Sequence, residues 1–303
     1  MSRIYDALQR ADTERRAAEE TEATNTGEPL AVPGAAEAPQ AKADIDLDHI
    51  TQHSWVPSMD SLPTIGDNGE SIEQFHGLRS QIYQYRDQSP LKTILICSGM
   101  PAEGKSFVAA NLAMSLARNR NNKVLLIDAD LRRPVLHTTL GAPNSIGLID
   151  FLAGNVPISE ILQRNQNSKI VEDGRVRNIP NLTFIPAGKG GDNLLELVAN
   201  RRIEELVAAL SPHFDWILID SPPVLAFADA IDLARAADAV LLVARAATTP
   251  FDVAQRAQAA FSSSRILGFV LNAVKDAPRN GSYYYYGKQE DGRGSKARKD
   301  KRR

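Results

Sequence analysis

Six short apolar runs alternate with segments of helical spacing along this 303-residue chain, and this alternation restricts the fold more than any other feature. Each run is nearly continuous and rich in Leu or β-branched residues, which is typical of strands buried on both faces of a sheet. The runs are TILIC (93–97), KVLLID (123–128), LTFIP (182–186), WILID (216–220), AVLLVA (239–244) and RILGFVLN (265–272). Strands that alternate with helices form a parallel sheet. The sequence therefore predicts an α/β fold with a predominantly parallel, doubly wound sheet and helices on both faces.

A glycine-rich segment, GMPAEGKS (99–106), follows the first run and precedes a helical segment. It fits the phosphate-binding pattern Gly-x-x-x-x-Gly-Lys-Ser of P-loop NTPases. Its glycines let backbone N–H groups surround phosphate oxygens, Lys105 reaches the β- and γ-phosphates, and the Ser106 hydroxyl ligates Mg²⁺. We therefore predict ATP and Mg²⁺ as cofactors. The predicted nucleotide-binding residues of this segment are Gly99, Met100, Pro101, Ala102, Glu103, Gly104, Lys105, Ser106 and Phe107.

Acidic residues end or follow two further runs. Asp128 and Asp130 come at the end of one strand, and Asp220 comes at the end of another. The carboxyl ends of parallel strands share one edge of a sheet, where ligands bind. We therefore expect these carboxylates to converge on the Mg²⁺ held by Ser106, with Asp220 acting through water. Taken singly, each Asp could instead cap a helix.

The ends of the chain differ in composition from its middle. We predict a short helix over residues 1–20, a disordered acidic linker over 21–65, a nucleotide-binding domain over 66–278 and a flexible tail over 279–303. The net charge of −2 argues against a nucleic-acid partner. No run is long enough to span a bilayer, so we expect a cytoplasmic protein that reaches the inner face of the plasma membrane through a partner.

Four consecutive tyrosines, Tyr283, Tyr284, Tyr285 and Tyr286, precede a tail rich in Lys and Arg. They cannot all face one core, because successive side chains of a strand alternate and those of a helix circle it. A low-complexity aromatic end without enzymatic meaning is one interpretation.

Three motifs together resemble the bacterial tyrosine kinases of the polysaccharide co-polymerase type, a branch of the MinD/ParA-like P-loop proteins. GMPAEGKS, VLLIDADLRRP and ILIDSPP resemble the Walker A, A′ and B motifs of that family, and the resemblance covers roughly residues 70–275. The tyrosine row matches as well, and MSRIYDALQRAD resembles the start of the subgroup found with exosortase-linked exopolysaccharide systems.

The resemblance implies a role for each matching residue. Lys105 and Ser106 would bind phosphate and Mg²⁺, Asp128 would be the base or orienter for the incoming tyrosine hydroxyl, and Asp130 and Asp220 would support the metal. Lys105, Asp128 and Asp130 are thus the predicted catalytic residues.

Further residues gain a meaning from the same resemblance. Asn272 falls where relatives contact adenine, although Asn is also frequent in turns. Arg132 and Arg133 would steady the phosphates or a neighbouring subunit, unless they are a solvated pair. The phosphoacceptors would be Tyr283, Tyr284, Tyr285 and Tyr286, phosphorylated in trans.

The implied function is an ATP-dependent protein-tyrosine autokinase that regulates polymerisation and export of exopolysaccharide or capsule. Its implied partners are a membrane-embedded chain-length-determinant (Wzz-like) activator, other copies of the chain and a tyrosine phosphatase. The alternative is a nucleotide-controlled scaffold similar to MinD/ParA ATPases. Those proteins usually carry a second loop lysine where this chain has Met100, which disfavours the alternative.

One departure from the family pattern concerns assembly. Relatives carry Glu-x-x-Arg-x-x-Arg on a helix used for ring formation, whereas this chain has Glu73, His76 and Arg79. Histidine is mostly neutral at pH 7 and lacks the bidentate guanidinium. We therefore expect self-association, but ring assembly that is weakened or lost.

Overall fold

The computed structural model describes residues 50–65, 70–166, 169–172, 175–178, 182–190 and 201–274. The predicted N-terminal helix (1–20), residues 21–49 of the predicted linker and the predicted tail (279–303) lie outside these residues.

Eight strands form one sheet in the order β1-β4-β7-β3-β8-β2-β9-β10, and β5 pairs with β6 in a separate antiparallel hairpin. The strands are β1 (Thr51–His53), β2 (Thr93–Ser98), β3 (Val124–Asp128), β4 (Gln163–Asn165), β5 (Lys169–Glu172), β6 (Arg175–Asn178), β7 (Leu182–Ile185), β8 (Trp216–Asp220), β9 (Ala239–Arg245) and β10 (Ile266–Asn272). The strands from β7 to β10 along this order are mutually parallel. Within the described part of this eight-stranded sheet, β4 pairs antiparallel with its neighbour β7, and β1 is parallel to β4. The predicted, mostly parallel sheet and its six strands are therefore confirmed.

Helices connect these strands. They are α1 (Glu70–Gln88), α2 (Lys105–Ala117), α3 (Leu136–Leu140), α4 (Leu148–Leu152), α5 (Ile158–Ile161), α6 (Arg202–Leu210), α7 (Asp229–Ala234) and α8 (Phe251–Ala260), with 3₁₀ turns at Pro63–Ile65 and Ser211–His213. In α6 the buried residues Ile203, Leu206, Val207 and Leu210 recur at the spacing that places them on one face. Across the part of the chain that the structure describes, no helix combines the length and the apolar content needed to cross a bilayer.

The central strands bury side chains on both faces of the sheet. In β2, Ile94 and Ile96 join the core that includes α1 and α2, whereas Leu95 joins the core beneath α6, α7 and α8. This division follows from the two-residue period of a strand, which sends successive side chains to opposite faces. It explains why the runs read as nearly continuous apolar segments.

The folded region begins earlier than the predicted boundary at residue 66. Residues 50–65 pack on the sheet, and the Trp55 side chain is only 2% exposed. Its ring meets that of Phe184 edge-on at a centroid distance of 6.1 Å, and the backbone N–H of Trp55 donates to the Asn165 Oδ1 at 3.0 Å. The linker prediction was wrong for this segment, because isolated apolar residues such as Ile65 anchor it without any apolar period.

Candidate nucleotide-binding site

The strand order brings the predicted acidic residues to one edge of the sheet. β8 lies between β2 and β3, and Asp128 and Asp220 are paired in register at the ends of β3 and β8. The segment after β2 is the loop 99–106, which leads into α2. The loop therefore starts one strand away from Asp220 and two strands away from Asp128.

Lys105 joins these acidic residues through its ammonium group. Its Nζ lies 2.7 Å from the Asp130 Oδ2 and 3.8 Å from the Asp220 Oδ1, and it donates to the Ser106 Oγ at 3.1 Å. Asp130 also accepts the Arg133 backbone N–H through its Oδ1 at 3.1 Å. The structure thus gathers Lys105, Ser106, Asp130 and Asp220, while their roles toward metal and phosphate stay predictions.

The two innermost carboxylates are fully buried, and this shifts their protonation. Burial, followed by the charge of Asp220, raises the pKa of Asp128 well above its ordinary value. Burial likewise raises the pKa of Asp220 to about 6, although Lys105 opposes that rise. Burial alone would lower the pKa of Lys105, but the charges of Asp220 and Asp130 outweigh it and leave this pKa raised.

Oxygens without a hydrogen-bond partner show that the site suits a hydrated cation. Within the described residues, the Asp128 Oδ1 and both Asp220 carboxylate oxygens are buried and have no partner in good hydrogen-bond geometry, although Lys105 lies 3.8 Å from the Asp220 Oδ1. Such groups are costly unless a ligand uses them. Yet no three carboxylate, imidazole or thiolate side chains in that same part of the chain could bind one ion by themselves. A Mg²⁺ at this site would therefore take further ligands from Ser106, phosphate oxygens and water, as Mg²⁺ usually does.

The backbone of the loop is curled as a phosphate site requires. Ala102 and Gly104 adopt left-handed conformations with φ of 65° and 93°. Left-handed residues alternating with right-handed ones turn successive N–H groups toward one side and form an anion-binding concavity. The φ of 93° at Gly104 favours glycine, and a β-carbon there would also displace the Asn272 amide nitrogen.

Asn272 touches the loop itself. Its Nδ2 donates to the Glu103 carbonyl oxygen at 3.0 Å, and its Oδ1 accepts the Ala273 N–H at 2.9 Å. The adenine contact that sequence analysis expected for Asn272 stays a prediction. The observed contact makes Asn272 an anchor of the phosphate loop at the end of β10.

Three other residues predicted to bind the nucleotide differ in how exposed their side chains are. Phe107 packs against Phe75 of α1, with ring centroids 6.0 Å apart, whereas Pro101 and Met100 are exposed on the loop. The tyrosines 283–286 lie outside the described residues.

Arg132 of the A′ segment is partly buried and is paired with other residues of the chain. Its Nε is 3.0 Å from the Asp229 Oδ2, and its guanidinium lies 4.5 Å from the ring centroid of Phe227. Arg133 is exposed. No pattern in the sequence marks Asp229 and Phe227 as partners of Arg132, because Asp229 lies 97 residues away along the chain.

Arg79, the arginine expected to support ring assembly, makes a hydrogen bond within the chain. The Arg79 Nη1 donates to the Ser115 carbonyl oxygen of α2 at 2.7 Å. Burial and the neighbouring charge of Arg79 lower the pKa of His76, which keeps that side chain neutral at pH 7.

Comparisons of sequence relate this arrangement to known proteins. A family model described as an AAA domain matches residues 92–252. Tyrosine-protein kinase YwqD of Bacillus subtilis is 33% identical over 221 residues, which cover 72% of this chain and 87% of YwqD. Tyrosine-protein kinase Wzc of Salmonella typhimurium is 31% identical over 226 residues, which cover 73% of this chain. The match spans only 30% of the length of Wzc.

Comparisons of structure lead in the same direction. The kinase domain of the Escherichia coli tyrosine kinase ETK superposes with a TM-score of 0.62 and 26% identity, covering 80% of this chain and 89% of that domain. The septum site-determining protein MinD of Pyrococcus horikoshii, solved with Mg-ADP, gives a TM-score of 0.50 at 26% identity, over 59% of this chain and 69% of MinD. The likeness to ETK is thus more extensive than the likeness to MinD.

Proposed function

The chain belongs to the family of bacterial tyrosine-protein kinases, and we propose that it transfers the γ-phosphate of ATP to tyrosines of its own C-terminal tail. The acceptors are Tyr283, Tyr284, Tyr285 and Tyr286, presented to the site of a neighbouring copy. The single observation that carries this proposal is the convergence of Lys105, Asp130 and Asp220 beside the curled phosphate loop.

Each residue of the cluster has a task in this reaction. The loop N–H groups and Lys105 bind the phosphates, so Lys105 exchanges its Asp130 partner for phosphate oxygens. Ser106, Asp130 and Asp220 would hold Mg²⁺, which would neutralise charge on the β- and γ-phosphates.

The chemical step is an in-line transfer. The phenolic oxygen of tyrosine forms a bond with the γ-phosphorus, while the bond from that phosphorus to the β–γ bridging oxygen breaks and ADP leaves. Asp128 orients the phenol and accepts its proton through the Oδ1, which has no hydrogen-bond partner in the described part of the chain. The raised pKa of Asp128 makes its carboxylate a better proton acceptor than an ordinary aspartate.

The biological setting follows from the same family. We assign the chain to the control of exopolysaccharide or capsule polymerisation and export, at the inner face of the plasma membrane. A membrane-embedded chain-length-determinant activator would bring it there, and a tyrosine phosphatase would reverse the modification. The scaffold alternative has less support, because Met100 replaces the second lysine and the match to MinD is shorter.

Labelled ATP tests the assignment directly. Purified protein is incubated with Mg²⁺ and γ-labelled ATP, with and without the cytoplasmic segment of the activator, and the modified residues are mapped by mass spectrometry. We expect label on residues 283–286, none in Lys105→Met, and little in a variant with all four tail tyrosines changed to Phe. Tyr85→Phe is the matched control, because Tyr85 is partly exposed on α1. Label in Lys105→Met, or label mainly on Tyr83 or Tyr85, would refute the proposal.

A further inference from the structure

The carbonyl groups of the phosphate loop are held by side chains from the neighbouring strands. The Ala102 carbonyl accepts from the Arg245 Nη1 at 3.3 Å, and the Glu103 carbonyl accepts from the Asn272 Nδ2 at 3.0 Å. When N–H groups of such a loop surround an anion, its carbonyls face away and need other partners. Arg245 and Asn272, at the ends of β9 and β10, provide them.

The Glu103 side chain adds a second connection. It is only 4% exposed, and its Oε2 accepts the Met100 N–H at 2.7 Å, which closes the turn from Met100 to Glu103. Its Oε1 accepts the hydroxyl hydrogen of Thr249, and the hydroxyl oxygen of Thr249 accepts the backbone N–H of Arg245 at 2.8 Å. Both carboxylate oxygens are therefore used by the chain itself.

A carboxylate within an anion-binding loop requires an explanation. Its negative charge opposes the binding of phosphate groups. Hydrogen bonds to a charged acceptor are, however, about twice as strong as those between neutral groups, so a carboxylate fixes a backbone turn more firmly than a neutral side chain would. The contacts of Glu103 match this second effect, because each of them restrains the loop.

We propose that Glu103 and Thr249 are positioning residues that hold the phosphate loop in its ATP-binding conformation. They join the segment after β2 to the connection between β9 and α8, across 146 residues of sequence. Without this link, the loop would have to be ordered by the nucleotide, at a cost in affinity. The inference rests on the proposed function of the loop as the ATP site.

Binding of a fluorescent N-methylanthraniloyl-ATP with Mg²⁺ tests the proposal. Loss of a hydrogen bond to a charged group predicts a dissociation constant raised about tenfold in Glu103→Ala and in Thr249→Val. Thr249→Ser keeps the hydroxyl and should bind nearly as wild type does. Glu103→Gln keeps one acceptor oxygen but replaces the other with an NH₂ donor and removes the charge, so its dissociation constant should lie between those of wild type and Glu103→Ala. Thr248→Val is the matched control, because Thr248 is the exposed neighbour of Thr249. In phosphorylation assays the KM for ATP should rise with the dissociation constant while kcat changes little.

Two results would overturn the proposal. One is unchanged affinity in both Glu103→Ala and Thr249→Val, and the other is a Thr249→Ser variant as weak as Thr249→Val, which would show that the Thr249 hydroxyl does not hold the loop. Circular dichroism shows whether each variant folds. If Glu103→Ala does not fold, the affinities of Thr249→Val and Thr249→Ser decide the question. Wild-type protein that binds the nucleotide but phosphorylates no tyrosine would refute the proposed function and leave this inference standing.

Discussion

At the scale of single residues, two carboxyl groups are buried at a cost that Lys105 offsets only in part. Asp128 and Asp220 are 0% exposed, and their unpartnered oxygens carry a desolvation cost that hydrogen bonds do not offset. Such groups persist at sites where a ligand completes them. The cost therefore marks the edge of the sheet where nucleotide and metal are expected.

Cys97 provides a prediction at this scale, because it is the only cysteine in the chain. It is buried in β2, and burial raises the pKa of its thiol to about 11. Since the thiolate is the reactive form, native protein should resist a disulfide reagent such as DTNB at about pH 8 and react fully in urea. Absorbance of the released thiol measures both rates.

The same shift has a consequence for stability. In the unfolded chain the thiol loses its proton above its ordinary value of 9.0, whereas the folded thiol keeps it up to about 11. The stabilisation is therefore complete below about pH 9 and is lost as the pH rises toward 11, relative to Cys97→Ala. Stoichiometric labelling of native protein near pH 8 would contradict the burial of this thiol.

From the sequence, site residues could be predicted only where they belong to a recognisable motif. The phosphate-loop pattern selected Lys105 and Ser106, and the acids at strand ends selected Asp128, Asp130 and Asp220, because strand order alone brings those positions together. Glu103 was included only as a member of the loop. The function of Thr249 depends on a contact across 146 residues, which no local pattern contains.

At the scale of elements, the strands of the eight-stranded sheet that the sequence did not predict are the short polar ones. β1 and β4 have three residues each, with sequences TQH and QRN. They lie at one edge of the sheet, where one strand face need not be apolar. The helices α3, α4 and α5 have four or five residues, too few to show a period of 3.6. The long apolar strands carried enough signal to be predicted.

Trp55 tests whether the segment 50–65 is part of the folded domain. Trp55→Ala removes a fully packed ring and should lower the free energy of unfolding by about 3–5 kcal/mol. Urea denaturation followed by circular dichroism measures the loss.

The neighbouring residue supplies the control for that experiment. The Val56 side chain is 77% exposed, so Val56→Ala should change the free energy of unfolding by less than about 0.5 kcal/mol. Equal stability of the two variants would return residues 50–65 to the status of a linker.

At the scale of the whole molecule, phosphorylation would change the balance of charge. The chain carries a net charge of −2, and each phosphotyrosine adds about −1.5 to −2 at neutral pH. Four of them would add roughly −6 to −8, enough to offset the basic residues that follow the tyrosine row.

Anion-exchange chromatography should resolve this change as a ladder. After incubation with ATP and Mg²⁺, we expect up to four later-eluting species, each shifted by one phosphate, because charge grows in equal steps. The variant with Phe at residues 283–286 should elute as a single species before and after incubation. A ladder that survives in this variant would place the modified residues elsewhere.

The two edge strands of the sheet determine where the chain enters and leaves the domain. β1 and β10 are separated by seven interstrand spacings, so residues 50 and 274 depart from opposite borders, roughly 34 Å apart if the sheet were flat. Proteins that bind the chain at residue 50 and at residue 274 would therefore contact opposite borders of the sheet. Energy transfer between a donor dye at residue 50 and an acceptor dye at residue 274 would report the distance between these two borders, which the width of the sheet sets.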